Sequence, residues 1–406
     1  MTILYWKLYV PHGCGLKGGE RTLVLNMIQE LLTLEEIEQA EEQYERNYGC
    51  APFSLSTWNP SDYYRNTYLL NQTALPAQSE FINYIYSYEL DARLLKECSR
   101  RLTGAEDAEV MITNSGTASI ALVTSVLSAL ELHHILVISP TYFSVLYNSR
   151  QKGFTISELH ALHRQGRYLL PKEDILRLLA DIDALWITNP IYNTGVYMES
   201  EDKDFLLNHV LPDKYVVADE CFCVSGRELM RELHGHPHFI SIYDPMKQFL
   251  INGIKFSAVV FPSRLENMFN QWSDVVCGSL TTSTVQALRF FLSPAADRLF
   301  QVLRKADKEI QSQIKSVVSK YTDAELDDGV DGHMMMCYIP KLPANHLRTM
   351  EEFYKFQVDT GVSVIPGTRF HFPEQDGFAF RINLARYDPV RFQRALMRVL
   401  SYLTEA

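Results

Sequence analysis

Short apolar runs alternate with helical segments between residues 110 and 261, and this alternation limits the possible folds more than any other feature. The runs that indicate strands are Val110–Thr113, Ile135–Ile138, Ala184–Thr188, Tyr215–Ala218 and Ala258–Phe261. Strands separated by helices predict an α/β fold, in which a mostly parallel sheet carries helices on both faces. In such a sheet a ligand lies beyond the carboxyl ends of the strands. Polar residues follow those ends here, so we expect the functional site at that edge.

The pattern changes after Gly278. A long helical segment, Ala295–Tyr321, is followed by a mixture of shorter strands and helices. This mixture predicts a smaller α+β domain joined to the first by the long helix. The expected organisation is an N-terminal arm and helix at 1–60 that packs on the small domain or on a partner subunit, a large ligand-binding domain at 61–290, and the small domain at 291–406.

Composition and charge exclude several classes of protein. The chain has 406 residues, 47% of them hydrophobic and 21% charged, which is typical of a globular protein. Its net charge of −11 and the lack of a basic cluster argue against a nucleic-acid partner. No apolar run is long enough to cross a membrane. The N-terminus has neither a basic start nor a small-residue cleavage site, so it predicts an ordered arm rather than a signal peptide.

The seven cysteines indicate neither a disulfide framework nor a metal site. Cys221 and Cys223 are too close for an ordinary disulfide, and their spacing does not suit zinc. We therefore expect reduced thiols, a cytoplasmic location and no metal.

Lys247 lies in an unusually apolar stretch, SIYDPMKQFLINGIKF at 241–256. A half-buried ammonium loses solvation, so its pKa falls and the neutral amine becomes a nucleophile. Such an amine can form a Schiff base with an aldehyde cofactor. The alternative is a lysine that extends its charge out of an apolar loop into solvent.

Ser115, Gly116 and Thr117 stand between a predicted strand and the predicted helix Ala118–Leu132. Backbone N–H groups, hydroxyls, a glycine and the positive end of a helix are the parts of a phosphate cradle. The alternative is helix capping alone, since small polar residues cap helices routinely.

Three further side chains have chemistry that suits a cofactor site. Asp219, at a strand end, can pair with a protonated heterocyclic nitrogen or be a solvated carboxylate. Tyr142 can stack on a planar cofactor or belong to the core. Arg381 lies inside an apolar strand, where an unpaired guanidinium is costly, so we expect a bidentate partner such as a substrate carboxylate.

Together these motifs resemble a pyridoxal 5′-phosphate (PLP) enzyme of fold type I, in the class I/II aminotransferase superfamily. The resemblance runs from about Phe53 to the C-terminus. It is carried by SGTAS at 115–119, SPTY at 139–142, ADECF at 218–222, the lysine with Lys255 eight positions on, and FRINLA at 380–385. It implies a large domain with a mostly parallel sheet of the seven-stranded type, between helices, and a smaller α+β domain.

The resemblance also implies roles for individual residues. Lys247 would hold PLP and later carry the α-proton, Asp219 would bond the pyridine nitrogen, and Tyr142 would stack on the ring. The remaining implied PLP ligands are Ser115, Gly116, Thr117, Lys255, Asn189 and Asn193. Arg381 would bind the substrate carboxylate. Tyr86 resembles the tyrosine that reaches the phosphate of the neighbouring subunit, which implies a homodimer.

Several positions depart from the family's pattern. Lys255 stands in place of an arginine, Asp244 in place of a hydroxyl residue, and Phe222 in place of the tyrosine that bonds the cofactor's phenolic oxygen. Tyr192 and Asn193 stand where an asparagine and a proline are usual, and Trp58 stands where the substrate loop usually has a glycine. Because a carboxylate repels a phosphate, we expect Asp244 to point away from the cradle or to pair with Lys255.

The sequence thus predicts a dimeric PLP-dependent aminotransferase that acts on a small α-amino acid, with no nucleic-acid or membrane partner. The alternative within enzymes is an oxidase, hydroxylase, lyase or cyclase of specialised metabolism. The spacing around Lys247, together with Phe222 and the run at 370–372, is similar to such enzymes with arginine-like substrates. His371 is a candidate pocket base there, or a packed imidazole without a role. A cofactor-binding sensor is a third possibility, which the acidic N-terminus disfavours.

Overall fold

The computed structural model describes residues 37, 39–56, 61–64, 67–68, 85–224, 226–370, 372 and 377–405. Trp58 and His371 lie outside these residues, as does most of the predicted N-terminal arm. Residues 39–48 are helical (α1), in agreement with the helical periodicity of this region. Within the described residues, no helix is both long and apolar enough to cross a bilayer.

A seven-stranded sheet forms the centre of the molecule. Its strands are β2 Glu109–Thr113, β3 His134–Ser139, β4 Thr155–His160, β7 Ala184–Thr188, β8 Tyr215–Asp219, β9 Phe239–Tyr243 and β10 Ser257–Phe261. They lie in the order β2-β10-β9-β8-β7-β3-β4. All neighbouring pairs are parallel except those of β10, which is antiparallel to both β2 and β9. The prediction of a mostly parallel sheet of seven-stranded type is therefore confirmed.

The sheet brings several chain segments to one edge. Because β10 is antiparallel to both of its neighbours, β2 runs in the same direction as β9. The carboxyl ends of β2, β3, β7, β8 and β9 therefore meet at the same edge. The segments that leave this edge begin at Asn114, Pro140, Asn189, Glu220 and Asp244.

Helices cover the sheet and build the second half of the chain. After α1 they are α2 Ala92–Thr103, α3 Gly116–Ala129, α4 Phe143–Gln151, α5 Lys172–Leu178, α6 Ser200–Phe205, α7 Met230–Leu233, α8 Pro245–Gln248, α9 Glu266–Val276, α10 Thr282–Phe291, α11 Pro294–Val318, α12 Met350–Thr360 and α13 Phe392–Glu405. Local sequence sets several helix starts: Asp91 caps α2, Ser115 caps α3, and Thr349 with Glu352 forms a capping box on α12.

A second, smaller sheet follows the long helix α11. It contains β11 Glu325–Leu326, β12 Met334–Ile339 and β14 Phe378–Asn383 in the order β11-β12-β14, with antiparallel pairs. Two short pairs complete the strands: β1 Phe53–Ser54 with β13 Val362–Ser363, and the hairpin β5 Leu162–Arg164 with β6 Arg167–Leu169. The mixed strands and helices after Gly278 agree with the α+β arrangement predicted for this region.

Six strands had not been predicted, namely the two-residue strands β1 and β11 and the strands β4, β5, β6 and β9. Strand β4, at the edge of the sheet, has the sequence TISELH and therefore lacks the apolar run that marks a buried strand. Strand β9, FISIY, is fully buried. It directly precedes the lysine segment, and its apolar residues merge with those of that segment in the sequence.

Candidate active site

Lys247 lies in α8, a single turn that begins directly after β9. Asp244 and Pro245 start this turn, and proline suits the first helical position because its missing N–H would have no intrahelical partner. The Lys247 ammonium is half-buried, with Nζ 4.3 Å from the centroid of the Phe222 ring and 5.8 Å from that of Tyr142. Aromatic faces attract a cation at these distances. The amine is thus held beside two rings, within the protein.

Asp219 is the last residue of β8 and is buried. One carboxylate oxygen accepts a hydrogen bond from the backbone N–H of Cys221 at 3.1 Å. Burial raises the pKa of Asp219, while the hydrogen bonds from Cys221 and the charge of Lys247 oppose that increase. The site therefore has a carboxylate of enhanced basicity near the amine of Lys247.

The start of α3 forms the predicted cradle. Ser115 is the N-cap, and its hydroxyl accepts a hydrogen bond from the N–H of Ala118 at 3.2 Å. Gly116 is buried, and a Cβ on it would lie 2.9 Å from Sγ of Cys221. Thr117 is exposed. The structure therefore unites the two interpretations of this motif, since Ser115 caps a helix whose first N–H groups face the same edge as Lys247.

Asn114 fixes the loop that closes the cradle from the side of α10. Its amide donates to the carbonyl of Ser279 at 3.2 Å, and its oxygen accepts from the N–H of Thr281 at 3.1 Å and the hydroxyl of Thr284 at 2.8 Å. Three bonds from one side chain hold the loop between α9 and α10 against the start of α3.

The expectation that Asp244 points away from the cradle is wrong. Its carboxylate is 2% exposed and lies 3.6 Å from the position that a Cβ on Gly116 would occupy. Burial raises the pKa of Asp244 to about 6, and the charges of Lys247 and Lys255 and the N–H of Gly116 oppose that increase. Lys255 itself is exposed. The carboxylate faces the helix start because its N–H and the two ammonium groups attract it there.

Arg381, in β14, is buried at 1% exposure. Its guanidinium donates to the carbonyl of Ser56 at 2.6 and 3.2 Å and to Oδ1 of Asn193 at 3.0 Å. Burial lowers the pKa of Arg381 to about 10, and Tyr192 opposes this shift. The described contacts orient the guanidinium through neutral oxygens.

Asn193 connects this arginine to the lysine. It has a left-handed backbone, with φ of 64°, a conformation that asparagine tolerates better than most residues. Its amide nitrogen is buried without a hydrogen-bond partner. Asn193 also lines a small cavity, together with Phe222, Lys247 and Met334. A buried donor without a partner is costly, so this position suits a ligand with an acceptor atom.

Asn189 has a different environment from Asn193. Its amide donates to Glu220 at 3.1 Å and to the carbonyl of Arg227 at 3.5 Å, and its oxygen accepts from the N–H of Met198. These bonds join the Asn189 side chain to other residues of the protein.

Three candidates remain, namely Tyr86, Trp58 and His371. Tyr86 is half-buried and stacks on Tyr88, with 5.5 Å between ring centroids, in the segment before α2. Trp58 and His371 lie outside the described residues. The structure therefore brings together the residues of the cradle, Tyr142, Asp219, Lys247, Asn193 and Arg381.

Sequence reasoning missed Cys221 and Ser56. Cys221 touches both Gly116 and Asp219, and a signal was available, because it follows Asp219 by two residues. Ser56 supplies the carbonyl for Arg381, and its hydroxyl donates to the carbonyl of the same arginine at 2.5 Å. These residues are 325 positions apart, so no local pattern could have revealed their contact.

The residues present fit PLP in three respects. Asn193 offers a buried donor without a partner to the phenolic oxygen, Asp219 offers a buried carboxylate to the pyridine nitrogen, and the start of α3 offers N–H groups to the phosphate. The amine of Lys247 is the nucleophile that an aldehyde requires. Among the described residues, Asp244 places a carboxylate beside the start of α3, where it opposes an anion.

Comparison with known proteins agrees with this geometry. The chain resembles three solved structures that are each covered to at least 95%: a double mutant of the aspartate aminotransferase from Thermus thermophilus (17% identity, TM-score 0.71, 91% of this chain), the N-succinyldiaminopimelate aminotransferase from Mycobacterium tuberculosis (15%, 0.71, 91%) and the histidinol-phosphate aminotransferase from Clostridium acetobutylicum (15%, 0.65, 86%). No curated protein matches significantly. Residues 71–399 match the family described as aminotransferase class I and II. The chain therefore belongs to that family, and it is a PLP-dependent, aminotransferase-like enzyme of fold type I.

Proposed function

We propose that this protein transfers the amino group of an α-amino acid, with PLP held covalently at Lys247. The observation that carries the proposal is the position of Lys247. Its half-buried amine lies beside the rings of Phe222 and Tyr142, at the sheet edge shared with Asp219 and the start of α3. When bound, PLP supplies an aldehyde and an electron-withdrawing ring that stabilises negative charge at the substrate's α-carbon.

Each of the residues gathered at this edge has a role in the proposal. Lys247 would hold the cofactor through its amine, and the same amine would take the α-proton of the substrate and return it. The buried carboxylate of Asp219 would pair with the protonated pyridine nitrogen. Tyr142 covers one face of the ring. Asn193 donates from its free amide nitrogen to the phenolic oxygen.

The phosphate is proposed to bind at Ser115, Gly116 and Thr117, with Lys255 at the solvent side. Asn189 is proposed to act through Glu220, to which its amide is bonded, by fixing the loop that carries Asn193. The helix start supplies directed N–H groups, and the lysine supplies charge without fixed geometry.

Arg381 is proposed to bind the substrate carboxylate. Its guanidinium is held by Ser56 and Asn193 through neutral acceptors, so its orientation is set before the substrate arrives. Trp58 and His371 are proposed to contact the rest of the substrate. A bidentate arginine–carboxylate pair fixes the orientation of the α-carbon relative to Lys247.

The assembly is proposed to be a cytoplasmic homodimer in which Tyr86 reaches the partner's phosphate site. The proposed division of the chain is an arm at 1–60, a large domain at 61–290 and a small domain at 291–406. The dimer can be tested by subunit complementation. Inactive Lys247→Ala and weakened Tyr86→Phe chains, when mixed as a heterodimer, should restore one site with both wild-type residues. Mixtures without added activity would contradict this arrangement.

The proposed function is tested by incubation of the purified holoenzyme with a panel of amino acids and a keto-acid acceptor. We expect a visible absorbance band from bound PLP that changes with a substrate, and formation of the acceptor's amino acid. Lys247→Ala should lose the band that borohydride fixes to the protein. Lys305→Ala, an exposed lysine on α11, is the matched control and should keep it. Label that borohydride fixes at another lysine would contradict the assignment.

A second candidate, turnover of the amino acid without an acceptor, is favoured by Phe222. This residue contacts Lys247 but has no hydroxyl to bond the phenolic oxygen, so the cofactor's electronic state differs from the family's usual state. An oxidase, hydroxylase, lyase or cyclase, including one with an arginine-like substrate, would release ammonia, peroxide or a cyclised product when no keto acid is present. A strict requirement for the keto acid would exclude this candidate.

A further inference from the structure

The carboxylate of Asp244 lies at the start of α3, where it would repel a bound phosphate. Its carboxylate lies against Gly116, the first residue of α3, with Oδ2 3.6 Å from the position that a Cβ on Gly116 would occupy. Its other oxygen, Oδ1, is buried and has no hydrogen-bond partner. Two independent features therefore point to a ligand here, namely the start of a 14-residue helix and a buried polar atom without a partner.

The charged and titratable groups around Asp244 come from every element packed against it. Lys247 follows on its own turn, Lys255 lies on the loop after α8, Cys221 follows β8, and the positive end of α3 lies at Gly116. Burial disfavours the ionised carboxylate, while the two ammonium groups favour it. Burial has the larger effect, so in the absence of an anion the pKa of Asp244 is raised to about 6.

An anionic phosphate at the same helix start would favour the protonated form of Asp244 further. Two negative groups that share a small, largely dry space cannot both remain ionised without a large cost. A neutral carboxylic acid in the same place has one O–H donor and removes the repulsion. An exposed group could instead rotate into solvent, but Asp244 is 2% exposed and follows β9 directly, so it has little room to withdraw.

We propose that Asp244 binds the phosphate of the cofactor as a neutral carboxylic acid, so that cofactor binding takes up a proton from solvent. The inference rests on the proposed function, because it takes PLP as the ligand of this edge. In the bound form the O–H of Asp244 donates to a phosphate oxygen, and the N–H groups of α3 and the ammonium of Lys255 supply the remaining donors. Asp244 thereby replaces the hydroxyl residue that the family usually has at this position.

The direction of the pH effect follows from this arrangement. The phosphate raises the pKa of Asp244 above its value in the cofactor-free protein, so binding takes up a proton only between these two values. Below about pH 6 the free carboxyl is already protonated, and binding takes up no further proton there. Above that pH, each pH unit weakens cofactor binding by up to about tenfold, until the pKa of the bound state is reached.

The test is calorimetric titration of the cofactor-free protein with PLP, in buffers of different ionisation enthalpy, which counts protons directly. Wild type, Asp244→Asn and the exposed control Asp213→Asn are compared from about pH 6.5 to about pH 8.5. Asparagine keeps an N–H donor and carries no charge at any pH. We expect Asp244→Asn to bind PLP about 10- to 100-fold more tightly than wild type at the upper pH and to take up up to one proton fewer.

A measurement on the wild type alone guards against a variant that fails to fold. Pyridoxal, which lacks the phosphate, should bind without the proton uptake that PLP shows. Equal proton uptake for PLP and pyridoxal, or equal uptake for wild type and Asp244→Asn, would overturn the inference and leave the proposed function intact. Absence of PLP binding at every pH would overturn the proposed function and the inference together.

Discussion

Asp219 and Glu220 are adjacent acidic residues at the end of β8, yet their surroundings differ in kind. Both are buried. Glu220 accepts hydrogen bonds from four groups: the amide of Asn189 at 3.1 Å, the N–H groups of Leu229 at 2.5 Å and Met230 at 3.1 Å, and the hydroxyl of Ser241 at 2.8 Å. Asp219 accepts a backbone hydrogen bond from Cys221 and faces Lys247. Successive residues of a strand point to opposite faces of a sheet, which separates the two carboxylates.

The difference teaches how to tell a structural carboxylate from a functional one in this fold. Glu220 joins β7, β9 and the segment before α7 through donors that belong to the protein, so its charge is already used. Asp244 has a buried oxygen without a partner at the edge where the phosphate cradle and the lysine lie, and Asp219 faces Lys247 at the same edge. Buried polar groups are normally satisfied, so remaining capacity at a strand end indicates a ligand.

The comparison predicts that Asp219→Asn costs activity and spares stability. Asparagine still accepts from the N–H of Cys221 but cannot hold a proton at the pyridine nitrogen, so turnover should fall about 10²- to 10⁴-fold. The free energy of unfolding of the cofactor-free protein should change by less than about 1 kcal/mol, since the loss of a buried charge offsets the weaker hydrogen bond. Single-turnover kinetics and urea unfolding measure the two quantities. Full activity in the variant would break the comparison.

The neighbouring substitution should have the opposite profile. Leu229 donates to one carboxylate oxygen of Glu220 and Met230 to the other, so the NH₂ group of Glu220→Gln faces one of these N–H donors and leaves it buried without an acceptor. We expect the free energy of unfolding to fall by about 2–3 kcal/mol. The variant that remains folded should turn over substrate at a rate within a few-fold of wild type. A stable but inactive Glu220→Gln would show that the two carboxylates have been assigned the wrong way round.

The extent to which sequence predicted this molecule depended on whether the information was local. The strands β2, β3, β7, β8 and β10 were predicted from apolar runs, since buried strands of a parallel sheet have such runs. The polar edge strand β4 and the hairpin β5–β6 were missed for the converse reason. Local motifs likewise identified Lys247, Asp219 and the cradle as candidates, because one turn or strand end contains each motif.

Features that depend on distant contacts could not be predicted. The sequence gives no hint that Ser56 orients Arg381, or that Asn193 has a free amide nitrogen whereas that of Asn189 is bonded to Glu220. Two alternatives were predicted for Asp244, and it does not point away from the cradle, because the helix start and the ammonium groups of Lys247 and Lys255 attract its carboxylate. Both cases require the positions of side chains from several elements.

The packing of the cradle provides a third prediction, of intermediate size. In Gly116→Ala the new Cβ would lie 2.9 Å from Sγ of Cys221 and 3.6 Å from the carboxylate of Asp244. Relief of this overlap shifts the start of α3, and overpacking costs roughly 1–3 kcal/mol, which should appear in cofactor affinity. Cys221→Ala should be milder alone and should restore part of the affinity in the double variant. Additive effects of the two changes in a titration with PLP would contradict direct contact.

The smallest expected effect concerns a buried pair that resembles Glu220 in having partners within the protein. His333 lies between Asp307, with Nδ1 and a carboxylate oxygen 2.7 Å apart, and the carbonyl of Gln248 at 2.5 Å, one residue after Lys247. Burial lowers the pKa of His333, but Asp307 and the carbonyl of Gln248 raise it by a larger amount, so the net shift of the pKa is upward. A raised pKa means that the stabilisation is fully present below about pH 6.5 and is lost as the pH rises through the folded-state pKa.

We therefore expect the free energy of unfolding of the wild type to fall, as the pH rises above neutrality, by on the order of 1 kcal/mol, the net contribution of one hydrogen bond. His333→Gln can still donate to Gln248 but does not titrate, so its curve should lack this component. Urea unfolding of the cofactor-free proteins across the pH range measures the difference. The rate of turnover should change little, because His333 supports the turn that carries Lys247 rather than the reacting atoms. Parallel pH curves for the two proteins would show that His333 is neutral in the folded state. Glu220 would then be the one remaining test of whether buried groups with partners within the protein contribute to stability rather than to turnover.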